Sequence, residues 1–225
     1  MNHALAGLTA FFDRPLNARS RVLILAAAAC LATALVFPLW RIQLFSNQFP
    51  DGLLLEIFAT RLQGGDGGND LNEINVLNHY IGMRPLEPQN FPEMKWIPFA
   101  LGLFALLCLR AAVLGRIREL VDVLVLLTYF GMFSMAVFYW RLYSYGHELS
   151  PDAAIDVPPF TPPLVGKGEL ANFVVYSLPG PGAGLLTAAG LLLLAAIFLS
   201  RRETSVGAGA APAARVPVGA GESAG

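Results

Sequence analysis

The sequence predicts an all-α membrane protein of four transmembrane helices, carrying a small periplasmic cap of one short strand, one short helix and a Pro-rich strap. Three observations predict it. Hydrophobic residues make up 55% of the 225 positions against 14% charged, and the mean hydropathy is +0.56, outside the usual balance of a soluble domain. Four stretches stay apolar over about 20 residues, the length at which a helix rising about 1.5 Å per residue crosses a hydrocarbon core of about 30 Å. None of the four alternates as a barrel strand would. The same balance excludes disorder through most of the chain, and a formal net charge of −1 leaves no basic footprint for nucleic acid.

Taken in order, residues 1–21 form a cytoplasmic interfacial segment in which Leu5, Leu8, Phe11 and Phe12 lie along the membrane and His3 has no role. The first span is 22–40. Ala32-Thr33-Ala34 resembles a signal cleavage site and Ala27-Ala28-Ala29-Cys30 a degraded lipobox, but the apolar stretch runs on through Val36, Phe37 and Leu39 to Trp40. That exceeds a signal core of about 7–15 residues, so the segment is a retained anchor. The other spans are 96–115, 120–140 and 183–200. From Thr204 the chain is largely Gly, Ala, Val and Pro, so 201–225 is a disordered cytoplasmic tail.

Positive charge sets the orientation. Arg14, Arg19 and Arg21 precede the first span, Arg116 and Arg118 occupy the tight turn between spans two and three, and Arg201 and Arg202 follow span four. With four spans these fall on one side, which makes both termini cytoplasmic in a bacterial inner membrane. Loops 41–95 and 141–182 then face the periplasm, with Trp40, Trp96, Tyr139 and Trp140 as the outer aromatic belt.

The bilayer interior offers little chemistry. Arg110 and Asp122 sit at similar depth and are expected to form a structural ion pair. Cys30 and Cys108 are expected to act as small apolar packers, and no CxxC pattern accompanies them. No chain of carboxylates crosses the midplane, and no broken helix or repeat suggests a transporter.

The outer loops carry the information. Residues 53–62 alternate as a strand would, with Leu55, Ile57 and Ala59 on one face. After the glycine-rich break at 64–68, Asp70 and Glu73 form a capping-box variant, and Leu71, Ile74, Leu77 and Ile81 repeat at helical spacing up to Gly82 and Pro85. The spacing predicts a helix over 71–81. His79 in its last turn and Met83 just beyond pair an imidazole with a thioether, a donor set suited to copper. A histidine at a helix carboxyl end is equally favoured by the free carbonyls there. His147 opens the strap through Pro158, Pro159, Pro162 and Pro163; if the strap folds over the short helix, His79, Met83 and His147 form a three-ligand site. Otherwise His147 belongs to an aromatic interfacial cap. No serine, histidine and carboxylate set is recognisable, so an enzyme is not expected.

The run from Leu71 to Met83, whose core is LNHYIGM, together with Pro158-Pro159-Phe160-Thr161-Pro162-Pro163, resembles an uncharacterised family of bacterial multi-span inner-membrane proteins. The likeness extends over about 37–200. The resemblance implies copper handling, as in accessory proteins of nitrous-oxide reductase maturation, with His79 and Met83 as ligands. Two functions are therefore expected: an accessory protein that presents copper at the outer face, or a non-catalytic scaffold whose loops dock a periplasmic or membrane protein partner.

Overall fold

The computed structural model describes residues 11–170 and 172–207, the last seven as backbone only. His3, Leu5 and Leu8, and the tail beyond Gly207, lie outside them. In chain order the elements are α1 (Ala18–Ala34), β1 (Trp40–Phe45), β2 (Leu53–Ile57), β3 (Leu62–Gly64), α2 (Asn69–Tyr80), α3 (Glu93–Leu114), α4 (Ile117–His147), β4 (Gly166–Leu170), β5 (Phe173–Pro179) and α5 (Pro181–Gly207).

Among the described residues, α3, α4 and the Pro181–Ser200 part of α5 are long and apolar enough to cross a membrane. The 31 residues of α4 rise about 46 Å, more than a hydrocarbon core is thick. It is therefore longer than one crossing needs, and the expected span 120–140 is only its middle. α5 continues to Gly207, so the start of the segment assigned to a disordered tail, 201–207, is helical instead.

The first expected span, 22–40, is shorter than its apolar run. Asn17 opens α1 by accepting the Ser20 amide at 2.6 Å, and the helix ends after 17 residues. Pro38 is the reason, because a proline keeps the preceding residue out of the helical region. The amides of Leu35 and Val36 already bond back to Ala32 and Thr33, the tighter pattern of a closing helix. Trp40 then begins a strand. It is buried rather than placed in a lipid-facing belt.

α1 packs against α5 and α3 through small residues. Ile24, Ala27, Leu31, Cys108, Ala111, Ala189, Leu193 and Ala196 share one core, and the alanines let the backbones approach. The Ser20 hydroxyl donates to the Ala196 carbonyl at 2.8 Å and lies 2.8 Å from that of Ser200. In the α3–α4 turn, Arg110 pairs with Glu119 at 3.1 Å, not with Asp122. Gly115, at φ +67°, closes α3 so tightly that the first turn of α4 carries the nearer carboxylate.

The cap is larger than one strand. It is a five-stranded antiparallel sheet of order β3-β2-β1-β5-β4, so the protein is mostly helical with a small sheet rather than all-α. β1 leaves α1 where β5 enters α5, and because those helices are partners the strands pair, from Trp40 opposite Pro179 to Phe45 opposite Val174. The ladder runs down to the helix ends: Gly180 donates to Leu39 and Gly182 to Pro38, both at 2.9 Å. A side chain at Gly180 would strike the Pro38 carbonyl, which is why glycine stands there.

The inner sheet face is closed by Trp40, Ile42, Leu53, Leu55 and Val175, packed with Ile74 of α2 and with Met135, Phe138 and Leu142 of α4. Inside it, Trp40 Nε1 donates to the Ser177 hydroxyl at 2.8 Å, which donates to the Leu164 carbonyl at 2.9 Å. Ser177→Ala leaves a buried N–H and a carbonyl unpaired. It is expected to cost about 2 kcal/mol, read as a lower tryptophan-fluorescence unfolding midpoint in detergent at unchanged helical circular dichroism.

Candidate functional site

α2 is seated on the sheet by side chains the sequence assigns to other tasks. Asp70 does not cap it: Gly68 holds the cap position without a side-chain bond, and Asp70 Oδ2 instead accepts the Leu54 amide of β2 at 2.8 Å. Asn75 turns inward, its Oδ1 accepting the Leu86 amide at 2.7 Å. Asn78 is buried, with its Nδ2 lacking a partner. The helix ends at Tyr80, one residue before the expected Ile81, and Gly82 adopts the closing left-handed conformation at φ +76°.

The segment after α4 folds over that turn, as the strap is expected to do. Ser150 donates to the Gly82 carbonyl at 2.8 Å and Ile155 to the Tyr80 carbonyl at 2.9 Å. Farther on, Phe160 donates to the Gly146 carbonyl at 3.0 Å, and a side chain at Gly146 would strike Phe160. Two backbone contacts thus hold the strap to the α2 turn and one holds it to α4.

Beneath it runs a ladder of charge and aromatic contacts that the sequence reading missed. Arg141 binds Glu93 through two bonds of 2.5 and 3.2 Å, and its guanidinium lies 5.9 Å from the Phe91 ring. Phe91 stacks on Tyr145 at 5.6 Å, and Arg84 lies over the Tyr145 ring at 5.0 Å while reaching Ser144 at 3.0 Å and Glu148 at 3.1 Å. The two-pronged, part-buried Glu93–Arg141 pair contributes more than the exposed Arg84–Glu148 pair. The available signal was Arg141 and Tyr145, four residues apart on a helix that outlasts its apolar run.

The three predicted ligands lie in α2, in the turn after it and at the end of α4. His79 is exposed on α2 and Met83 is half-buried in the turn. His147 ends α4 rather than opening the strap; its ring stacks on Tyr143 at 3.8 Å, with Nδ1 3.0 Å from the Tyr143 carbonyl. Among the described residues no group of three His, Cys, Asp or Glu side chains could hold a metal ion.

Beside the polar Asn72, Glu73 and His79, α2 exposes two large apolar side chains. Ile74 and Leu71 face the sheet, while Val76 and Tyr80, one turn apart, are 51% and 50% exposed, and Ile155 beside Tyr80 is 53% exposed. Comparison with protein-family models, with curated proteins and with solved structures found no match to this chain.

Gly82→Ala forces a side chain into a left-handed position and against the Ser150 carbonyl, 2.8 Å from the added carbon. The expected cost is about 1–3 kcal/mol. Limited proteolysis should show earlier cleavage within 148–160, with the membrane core resisting as before.

Proposed function

We propose that the protein is a non-catalytic accessory protein of a bacterial inner membrane, whose outer domain docks a periplasmic or membrane protein partner through α2 and the strap. The observation that carries this reading is the exposed set Val76, Tyr80 and Ile155. Two elements distant in sequence are held together there by a backbone bond, and exposed apolar and aromatic side chains stand among polar ones such as Glu73, His79 and Asp156, a mixture found at interaction sites. In this reading α1 is a fourth membrane-crossing helix, supported by its burial against α3 and α5. Arg14, Arg19, Arg21, Arg116 and Arg118 then mark the cytoplasmic side, and both termini are cytoplasmic.

A photo-crosslinking residue at Tyr80 is expected to capture a discrete partner in cells, with Lys167 on the edge strand β4 giving none. The additional change Val76→Asp should abolish the adduct while leaving protein level unchanged. Equal capture at both positions, or none at Tyr80, removes the docking reading.

Copper handling is the second reading, favoured by the seating of the strap on the turn between His79 and Met83. In it His147, with Nδ1 toward the Tyr143 carbonyl, would offer Nε2 to the metal. A Cu(I) competition titration separates the two: tight one-to-one binding lost in both His79→Ala and Met83→Ala supports copper, and indistinguishable weak binding by all three proteins is the outcome expected of the scaffold.

A further inference from the structure

The end of the bundle away from the sheet concentrates positive charge. Segments 11–23 and 110–122 hold six arginines and no lysine, against Asp13, Glu119 and Asp122. Arginines near span ends are ordinary in membrane proteins; what the fold adds is that these two segments, far apart in sequence, are clamped together. Leu16 donates to the Gly115 carbonyl at 2.7 Å and Ile117 to the Arg14 carbonyl at 3.1 Å, with Pro15 and Arg116 as the bridge between them. The buried Leu16 side chain fixes the clamp to the bundle core. Arg21, in the first turn of α1, reaches over the same place, since a side-chain carbon added at Gly115 would strike its guanidinium. Arg21, Arg116 and Arg118 are thus gathered around one turn from α1, from the turn itself and from the start of α4.

The nearby carboxylates do not neutralise these three. Glu119 is taken by Arg110 at 3.1 Å, and Arg14 and Arg19 are engaged in contacts of their own. Among the described residues Arg21, Arg116 and Arg118 have neither an ion pair nor a side-chain hydrogen bond, with Asp13, Asp122 or any other group. All three are exposed. At the sheet end the pattern is the opposite, where Arg41, Arg84 and Arg141 each hold a carboxylate.

Guanidinium groups suit phosphate oxygens, which they can take two at a time. The surroundings select the kind of phosphate. α3 and α4 are long and apolar enough to cross a membrane, and the turn between them lies where such helices leave the hydrocarbon. Exposed apolar side chains begin directly beside the cations: Val22 and Leu25 follow Arg21 on α1, and Val113 and Leu114 precede Gly115 on α3. A phosphate that carries acyl chains fits both the charged and the apolar half of this boundary, whereas a soluble phosphate or a nucleic acid fits the charged half alone. The unbalanced charge favours a headgroup of net negative charge over a zwitterionic one.

We propose that Arg21, Arg116 and Arg118 form a headgroup site for an anionic glycerophospholipid, the guanidiniums binding its phosphate diester and its acyl chains lying along the exposed apolar side chains of α1 and α3.

The test offers the full chain, in mild detergent, equal amounts of phosphatidylglycerol and phosphatidylcholine with the same acyl chains, and counts the bound lipid by native mass spectrometry. The wild type is expected to prefer phosphatidylglycerol. Arg21→Gln, Arg116→Gln and Arg118→Gln should each weaken that preference by about fivefold, as the loss of one charge near the headgroups implies, and the triple change should remove it. Arg61→Gln, in the turn between β2 and β3, should leave it unchanged. Circular dichroism and size exclusion report folding; should the triple variant fail to fold, the three single variants decide. No preference in the wild type overturns the proposal and leaves this face to an acidic protein surface. An undiminished preference in the folded variants, or an equal loss in Arg61→Gln, overturns it because the attraction would then be unspecific. So does displacement of the lipid by glycerophosphoglycerol, the headgroup without acyl chains, at the lipid's own concentration, because the ligand would then be a soluble phosphate diester.

Discussion

The sheet domain depends on a continuity of hydrogen bonding across the end of one helix pair. α1 and α5 are held together within the bundle by alanines and by the Ser20–Ser200 contact. As their chains leave it, the bonds from Gly182 to Pro38 and from Gly180 to Leu39 turn that helix contact into the first rungs of a sheet. From there β1 and β5 have one register available, since a shift by one residue would turn Trp40, Ile42 and Val175 away from the core. β2, β3 and β4 then add at the sides by hairpin pairing with their chain neighbours. The sheet is thus an extension of the bundle, and the bundle sets the position of α2 and the strap.

That constraint also explains what the sequence made legible. Local signals were read in part: Gly82 and Pro85 end α2 within a residue of expectation, while the alternation expected over 53–62 is a strand only to Ile57, with a turn at 58–61 leading into β3. Long-range pairing was not legible. β5 is a short apolar run behind a proline-rich stretch, and its partner is β1, near the other end of the chain, so nothing near it in sequence announces a sheet. Pro38 could have shortened the first span, but an apolar stretch on both sides of it masks the stop. Residues 201–207 show the converse, a composition suited to disorder that the preceding helix carries along.

The candidate site was legible in part, because a side chain's type does not fix its direction. Asp70 has the right type and position for a cap, yet β2 lies close enough to take its carboxylate. Asn75 and Asn78 look available on a helical wheel and are turned inward. His147 is held by Tyr143 because α4 persists beyond the membrane, which places residues four apart on one face. The strap was read as able to lie over the short helix, and its start does so; His147, read either as a third ligand or as part of an aromatic cap, is stacked on Tyr143.

Three arginines around the sheet are engaged in holding it. Arg41 is taken by Glu56, Arg84 by Glu148 and Ser144, and Arg141 by Glu93. Two other features adjoin the same sheet: exposed Val76, Tyr80 and Ile155 where α2 meets the strap, and a half-open apolar groove between α3, α4 and α5. Leu39, Trp40 and Ile57 line that groove from the sheet side, and the sheet also carries α2 through Asp70 and Leu54, so the position of both follows from the pairing of β1 with β5.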